Sequence, residues 1–236
     1  MKTLKTFLMV LLLAACCAGQ SFAGNGNETQ TRHVSGFNAI DVATGIDLYI
    51  TMGNSEEVKI VADDEIIDNI KTEVRNGTLH IYMKKTGWFN WNVNKTRKAY
   101  VTLKELVELN ASSGSDVESE NTLEGESFKI SASSGSDIKL EVRYKNLSLD
   151  TSSGSDAKLR GKVKTLELSA SSGSDINASD LESVKCRASA SSGSDISLTV
   201  TEELQADASS GSDIVYQGNP QMRDIDESSG GDVRSR

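Results

Sequence analysis

Aspartate recurs at Asp116, Asp137, Asp156, Asp175, Asp195, Asp213 and Asp232, the first six each preceded by Ser-Ser-Gly-Ser and the last by Ser-Ser-Gly-Gly. A row of carboxylates has two chemical uses. It can hold divalent cations through oxygen ligands, or accept hydrogen bonds from hydroxyls and turn N–H groups. If successive copies stack one strand spacing apart, each neighbouring pair of ionised carboxylates repels by about 0.9 kcal/mol in water and about 3.5 kcal/mol at an effective dielectric of 20. Something must relieve that repulsion. Calcium is the cation to weigh, because Gly-Ser-Asp followed by an apolar residue echoes the calcium-binding β-roll nonapeptide. In those repeats a second turn follows nine residues on, and this chain has no such companion. Asp116, Asp137, Asp156, Asp175, Asp195 and Asp213 are therefore candidate calcium ligands, with hydrogen bonding by the motif itself as the alternative.

The second chemistry-bearing stretch is Gly87-Trp88-Phe89-Asn90-Trp91-Asn92, which contains both tryptophans of the chain. Aromatic rings beside amides suit a sugar, stacking on its apolar face while bonding its hydroxyls. Trp88, Phe89, Asn90 and Trp91 are the candidate binding residues; the same rings would also serve to cover the end of a stacked core. Catalytic signals are weak. His33 and His80 are the only histidines, which leaves little for a histidine-based acid–base or metal site. No Gly-x-Ser-x-Gly elbow activates any of the repeated serines. The residues point to a protein that is not an enzyme and has no cofactor unless calcium binds the aspartates.

The elements that position these residues follow from the spacing. The pentapeptides begin at Ser112, Ser133, Ser152, Ser171, Ser191, Ser209 and Ser228, at intervals of 21, 19, 19, 20, 18 and 19 residues. A period near 19 is that of a solenoid. Five, three and one positions before each motif the chain is apolar or small, as in Phe128-Ile130-Ala132, Leu147-Leu149-Thr151 and Leu166-Leu168-Ala170, with polar residues between. That alternation signals a strand. After each motif an apolar residue returns at once (Val117, Ile138, Ala157, Ile176, Ile196, Ile214), so a second strand follows. Length variation falls after it, where each rung needs a loop. The pentapeptide is the corner, with glycine at the bend. The fold class is all-β, a parallel β-helix (β-solenoid) with rungs of about 19 residues, regular over 105–236 and less regular over 34–104.

Less regular β-like stretches precede the repeats at 33–42, 46–52, 58–61 and 100–103, and 63–70 reads as a brief helical passage. Asn76-Gly77 between 71–74 and 78–83 is a hairpin turn signal. This half supplies either irregular rungs or a sheet that caps the open end. Residues 34–236 form a single domain.

Residues 1–23 carry Lys2, Lys5 and the apolar run Phe7 to Ala15, the pattern of an export signal. Leu13-Ala14-Ala15-Cys16 resembles a lipobox, which would end the leader at residue 15 and lipidate Cys16. Ser21-Phe22-Ala23 is the competing cleavage site, and 24–33 reads as a flexible tether. The formal net charge is −9, and removal of the two leader lysines takes it to −11. Such acidity excludes nucleic acid as a partner and electrostatic docking on anionic lipid, leaving an N-terminal lipid as the only membrane attachment. Cys186 lies at an inward position and reads as a small core residue.

Val34-Ser35-Gly36-Phe37-Asn38-Ala39-Ile40, Thr44-Gly45-Ile46-Asp47-Leu48-Tyr49-Ile50-Thr51, Asn76-Gly77-Thr78-Leu79 and the Ser-Gly-Ser-Asp repeats, in that order, resemble the GIN-domain family. These are bacterial proteins, frequent in Bacteroidetes, described as autotransporter-adhesin head domains. The resemblance runs from about Val34 to about Gln217 and implies a right-handed β-helix, an envelope location and an adhesive role. It brings no catalytic residues. Gly45-Ile46-Asp47 departs from the family's Gly-Ile-Asn, keeping an acceptor and losing the amide donor. The function expected is an exported binding module, periplasmic or on the outer membrane and cell surface, that presents a rigid solenoid to a glycan or surface protein. The alternatives are a structural spacer of the envelope and a polysaccharide-acting β-helix enzyme.

Overall fold

The structure, a computed structural model, describes residues 26–84 and 95–236. Its regular half is a stack of parallel rungs. Strand β8 (Glu108–Ser112), the corner and β9 (Val117–Ser119) make the first. β10 (Leu123–Ser133), β11 (Asp137–Thr151), β12 (Asp156–Ala170), β13 (Asp175–Ala190) and β14 (Asp195–Ser209) follow in register. β15 (Asp213–Gln217), β16 (Met222–Ser228) and β17 (Asp232–Ser235) finish it. The alternating positions form continuous inner columns. Phe128, Leu147, Leu166, Cys186 and Leu204 are one, and Ile130, Leu149, Leu168, Ala188 and Ala206 another, all buried. Each large aliphatic so buried contributes about 1.5–3 kcal/mol.

No loop follows the second strand in the rungs of β11 to β14, whereas residues 120–122 separate β9 from β10 and residues 218–221 separate β15 from β16. β11 and β12 run unbroken from corner to corner, and their pairing lapses only between Tyr144–Val163 and Asn146–Thr165. The extra residue of the longer β13 rung is absorbed by register shifts, between Lys158 and Arg160 and again between Ala178 and Glu182. A bulge costs fewer unpaired backbone groups than a loop, so in these continuous rungs length variation is taken up inside the ladder.

The N-terminal half is both irregular rung and cap. β2 (Ala39–Ala43) and β3 (Asp47–Met52) form a rung against β8 and β9, and β6 (Thr78–Met83) and β7 (Arg97–Leu103) a rung beyond it. Antiparallel strands then close this end. β4 (Glu57–Asp63) pairs with β7, β1 (Asn27–Arg32) with β4, and β5 (Ile70–Arg75) with β6 through the expected Asn76-Gly77 turn, both residues at positive φ. The polar β1 leaves a blunt edge rather than a repeat of the rung pattern. Two expectations are corrected. Residues 27–32 of the supposed tether are strand β1, whose Arg32 guanidinium donates to the Ile67 carbonyl at 3.0 Å. The helical passage is a single 3-10 turn, Ile67–Asn69, because Asp63 is still paired in β4. At the other end the apolar column runs out to Ile225, 40% exposed. There Glu227 accepts the Val233 N–H at 2.7 Å and the Arg223 guanidinium donates to the Tyr216 hydroxyl at 3.4 Å.

Candidate functional site

At every corner the second serine and the glycine are both left-handed: Ser134 and Gly135 have φ of 59° and 70°, Ser192 and Gly193 of 58° and 66°. Two consecutive left-handed residues reverse the chain within the pentapeptide, and the serine carries strain that glycine alone was expected to take. The fourth-position serines Ser136, Ser155, Ser174, Ser194 and Ser212 are fully buried. The Ser194 hydroxyl donates to the Ser191 and Ala170 carbonyls, both at 2.8 Å, and accepts the Ser191 N–H at 3.1 Å. Ser212 repeats the pattern one rung on. These hydroxyls plug the corners, closed to solvent and bonded to the backbone around them.

The aspartates form the expected column. Asp137, Asp156, Asp175, Asp195, Asp213 and Asp232 are direct partners from rung to rung, with Asp116 preceding them. Three of the column's carboxylates accept backbone N–H groups of the next rung. The N–H groups of Asp175, Asp195 and Asp213 donate to the Oδ1 atoms of Asp156, Asp175 and Asp195 at 3.2, 3.1 and 3.3 Å. Among the described residues no three His, Cys, Asp or Glu side chains converge as a metal site.

Thr44-Gly45-Ile46-Asp47 is one further corner that the sequence did not disclose as such. Thr44 and Gly45 have φ of 69° and 68°, Leu48 pairs with Val117, and Asp47 joins the head of the column beside Asp116. Ile46 replaces the buried serine. The Gly-x-Asp spacing followed by an apolar residue was the available signal. Burial and then the Asp116 charge raise the Asp47 carboxyl above its ordinary value, opposed by Lys98 and Arg97. Lys98 is the strand partner of Asp47 at this end, its charge acting on that carboxyl, and the Arg234 guanidinium donates to Asp232 at 2.6 Å and Asp213 at 3.3 Å at the other. A cation stands at each end of the column.

Beside this head lies a groove of about 150 Å3 lined by Asp47, Tyr49, Asp116, Glu118, Asp137 and Lys139. Tyr49 stacks on Tyr100 across neighbouring strands, ring centres 5.0 Å apart, with Lys98 and Lys59 over the two rings. A larger groove of about 410 Å3 lies between the 105–107 crossover and β10 and β11. Its floor is Leu106, Phe128, Tyr144 and Leu147, all buried. The Tyr144 ring stacks on Phe128 at 4.9 Å and its hydroxyl donates to the Leu106 carbonyl at 2.9 Å. Burial, then Glu105 and Glu124, holds that hydroxyl well above its ordinary pKa. Sequence patterning could not mark these grooves, since the smaller joins Asp47 and Tyr49 to rungs about seventy residues on and the larger depends on how the 105–107 crossover sits against the next rungs. The called residues Trp88, Phe89, Asn90, Trp91 and Cys16 lie outside the described residues.

Solved structures share this fold. An adhesin-named protein ("putative adhesin") of Bacteroides fragilis is 22% identical with a TM-score of 0.84, over 90% of this chain and 98% of that one. A "putative lipid binding protein" of Parabacteroides distasonis is 21% identical with a TM-score of 0.71, over 89% and 97%. A "putative adhesin" of Parabacteroides merdae is 18% identical with a TM-score of 0.67, over 89% and 96%. No curated protein matches the chain. The family model described as "Putative auto-transporter adhesin, head GIN domain" matches residues 36–220, spanning the Thr44 corner and the Ser-Ser-Gly-Ser-Asp corners from Ser112 to Asp213, and the chain belongs to that family.

Proposed function

We propose that the chain is an exported, adhesin-like module of the cell envelope without catalytic activity, whose rigid solenoid surface meets a glycan or protein partner. The observation that carries this is the commitment of the repeat's polar groups to the backbone. The buried serine hydroxyls close the corners, and three aspartates of the column accept N–H groups of the next rung. Chemistry of that kind builds register, and it leaves binding to the grooves and to the surfaces the rungs hold in place. Family membership supports the adhesive role and, with the export signal, the envelope location. Lipidation of Cys16 would anchor the chain, and mass spectrometry of the mature N-terminus separates that from cleavage after Ala23.

The test of function is binding of the mature protein to a glycan array and to intact bacterial and host cells, beside a Trp88→Ala/Trp91→Ala variant. Retained folding with lost binding assigns the tryptophans to the ligand. Absence of binding to every surface, together with turnover of an acidic polysaccharide, would replace the adhesin reading with the enzymatic one.

A further inference from the structure

The larger groove contains an open strand edge. β11 covers one side of β10 from Leu123 to Ala132, but β8 covers the other only from Lys129 to Ser133. The cause is the irregular first rungs. β3 ends at Met52, where the Asn121 amide bonds both its N–H and its carbonyl at 2.9 Å, and Gly53 then turns the chain away toward β4. The crossover 104–107 later passes beneath β10, touching it where Val107 accepts the Lys129 N–H at 2.9 Å. Peptide groups alternate in direction along a strand. Because the Lys129 N–H points to the preceding rung, that of Ser127 does too, and among the described residues no strand lies opposite it. At Glu126 the pairing with β11 lapses and the alternation slips by one residue, so Gly125 faces the Tyr144 ring. Ser127 and Gly125 are both exposed and line the groove.

The rest of the groove suits the occupant such an edge calls for. Gly125 carries no side chain to hide its peptide groups, and a Cβ there would come within 2.6 Å of the Tyr144 ring. The floor is apolar. The rim carries Glu105, Glu126 and Glu167 against Lys129. We propose that this groove takes one extended segment of a partner protein, added as a strand on the open edge of β10 at Ser127 and lying over Gly125, with its cationic side chains among the rim carboxylates. Main-chain hydrogen bonds supply the affinity and the rim supplies the preference. The proposal rests on the chain being a binding module and names the place and the class of partner.

The test uses the full exported chain and a blocked hexapeptide of alternating lysine and valine, with a glutamate–valine hexapeptide for comparison. Hydrogen exchange at Ser127 is fast in the free protein and slows about tenfold or more when the lysine peptide binds. Ser127→Pro removes an N–H that no rung uses, so its unfolding midpoint stays and its affinity for the peptide falls about fivefold or more, whereas Ser127→Ala binds as the parent does. The proposal is overturned if neither peptide binds, if the two bind alike, if Ser127→Pro binds unchanged, or if the Ser127 amide is already protected in the free protein. The exchange measurement stands without any variant. Equal attachment of the parent and Ser127→Pro to cells or glycans would sink the groove and leave the adhesin reading intact.

Discussion

Glycine to alanine at two positions separates what the repeat displays from what the packing needs. At the corner, Gly193 has a φ of 66° and a Cβ built there meets nothing within 4 Å. Its replacement costs only the left-handed backbone penalty, about 1 kcal/mol. At Gly161, outside any motif, φ is 121° and a Cβ would lie 2.0 Å from the Val142 carbonyl oxygen of the rung below. No side-chain rotation relieves that contact, because the obstacle is backbone in a paired strand. A backbone shift of this kind costs about 1–3 kcal/mol and the strained φ another 1–3 kcal/mol, so Gly161→Ala loses about 4 kcal/mol. For a chain of this size 1 kcal/mol moves the melting temperature by about 2–4 °C. Gly193→Ala should therefore melt about 3 °C lower, and Gly161→Ala more than about 10 °C lower. Thermal unfolding followed by circular dichroism measures both. Hydrogen exchange should place the Gly161→Ala loss around β11 to β13, since rungs touch only their neighbours. The reasoning fails if the corner substitution costs as much as the one at Gly161.

Three further outcomes are expected. Burial pushes the Cys186 thiol up to about 12, so the native protein resists thiol reagents at pH 8. The folded thiol stays protonated where the unfolded one ionises, so its contribution to stability is lost between about pH 9 and 12, a decline that should be smaller in Cys186→Ala. Asp47 is raised by burial and Asp116, so its ionised form opposes folding above the unfolded value. Asp47→Asn should raise the urea midpoint at pH 7 and not at pH 3; equal midpoints at pH 7 would refute the crowding of the column. Because N–H groups of the ladder serve carboxylates of the column, calcium and chelator should give the same melting temperature. A calcium-dependent rise would return a metal role to the aspartates.

How much was legible follows the range of the interactions. Alternation around each pentapeptide disclosed the inner columns from Phe128 to Leu204, because side-chain direction in a strand depends only on parity. The same local logic marked the Asn76-Gly77 turn. It misjudged Asn27–Arg32, whose polar sequence looks like linker but whose backbone is paired by β4, and it supplied loops where Lys158–Arg160 uses a bulge. Pairing by backbone leaves almost no trace in side-chain chemistry.

The sequence by itself determined the solenoid, its period and the aspartate column, since a short repeat with an apolar face can bury that face only by stacking on its own copies. Only the tertiary structure decided that Thr44-Gly45-Ile46-Asp47 heads the same column, that three of its carboxylates accept N–H groups of the next rung, and that β10 keeps an open edge above Tyr144. Those features depend on which rungs become neighbours when the first two depart from the repeat, and contacts between segments so far apart in the chain are set by the assembled stack.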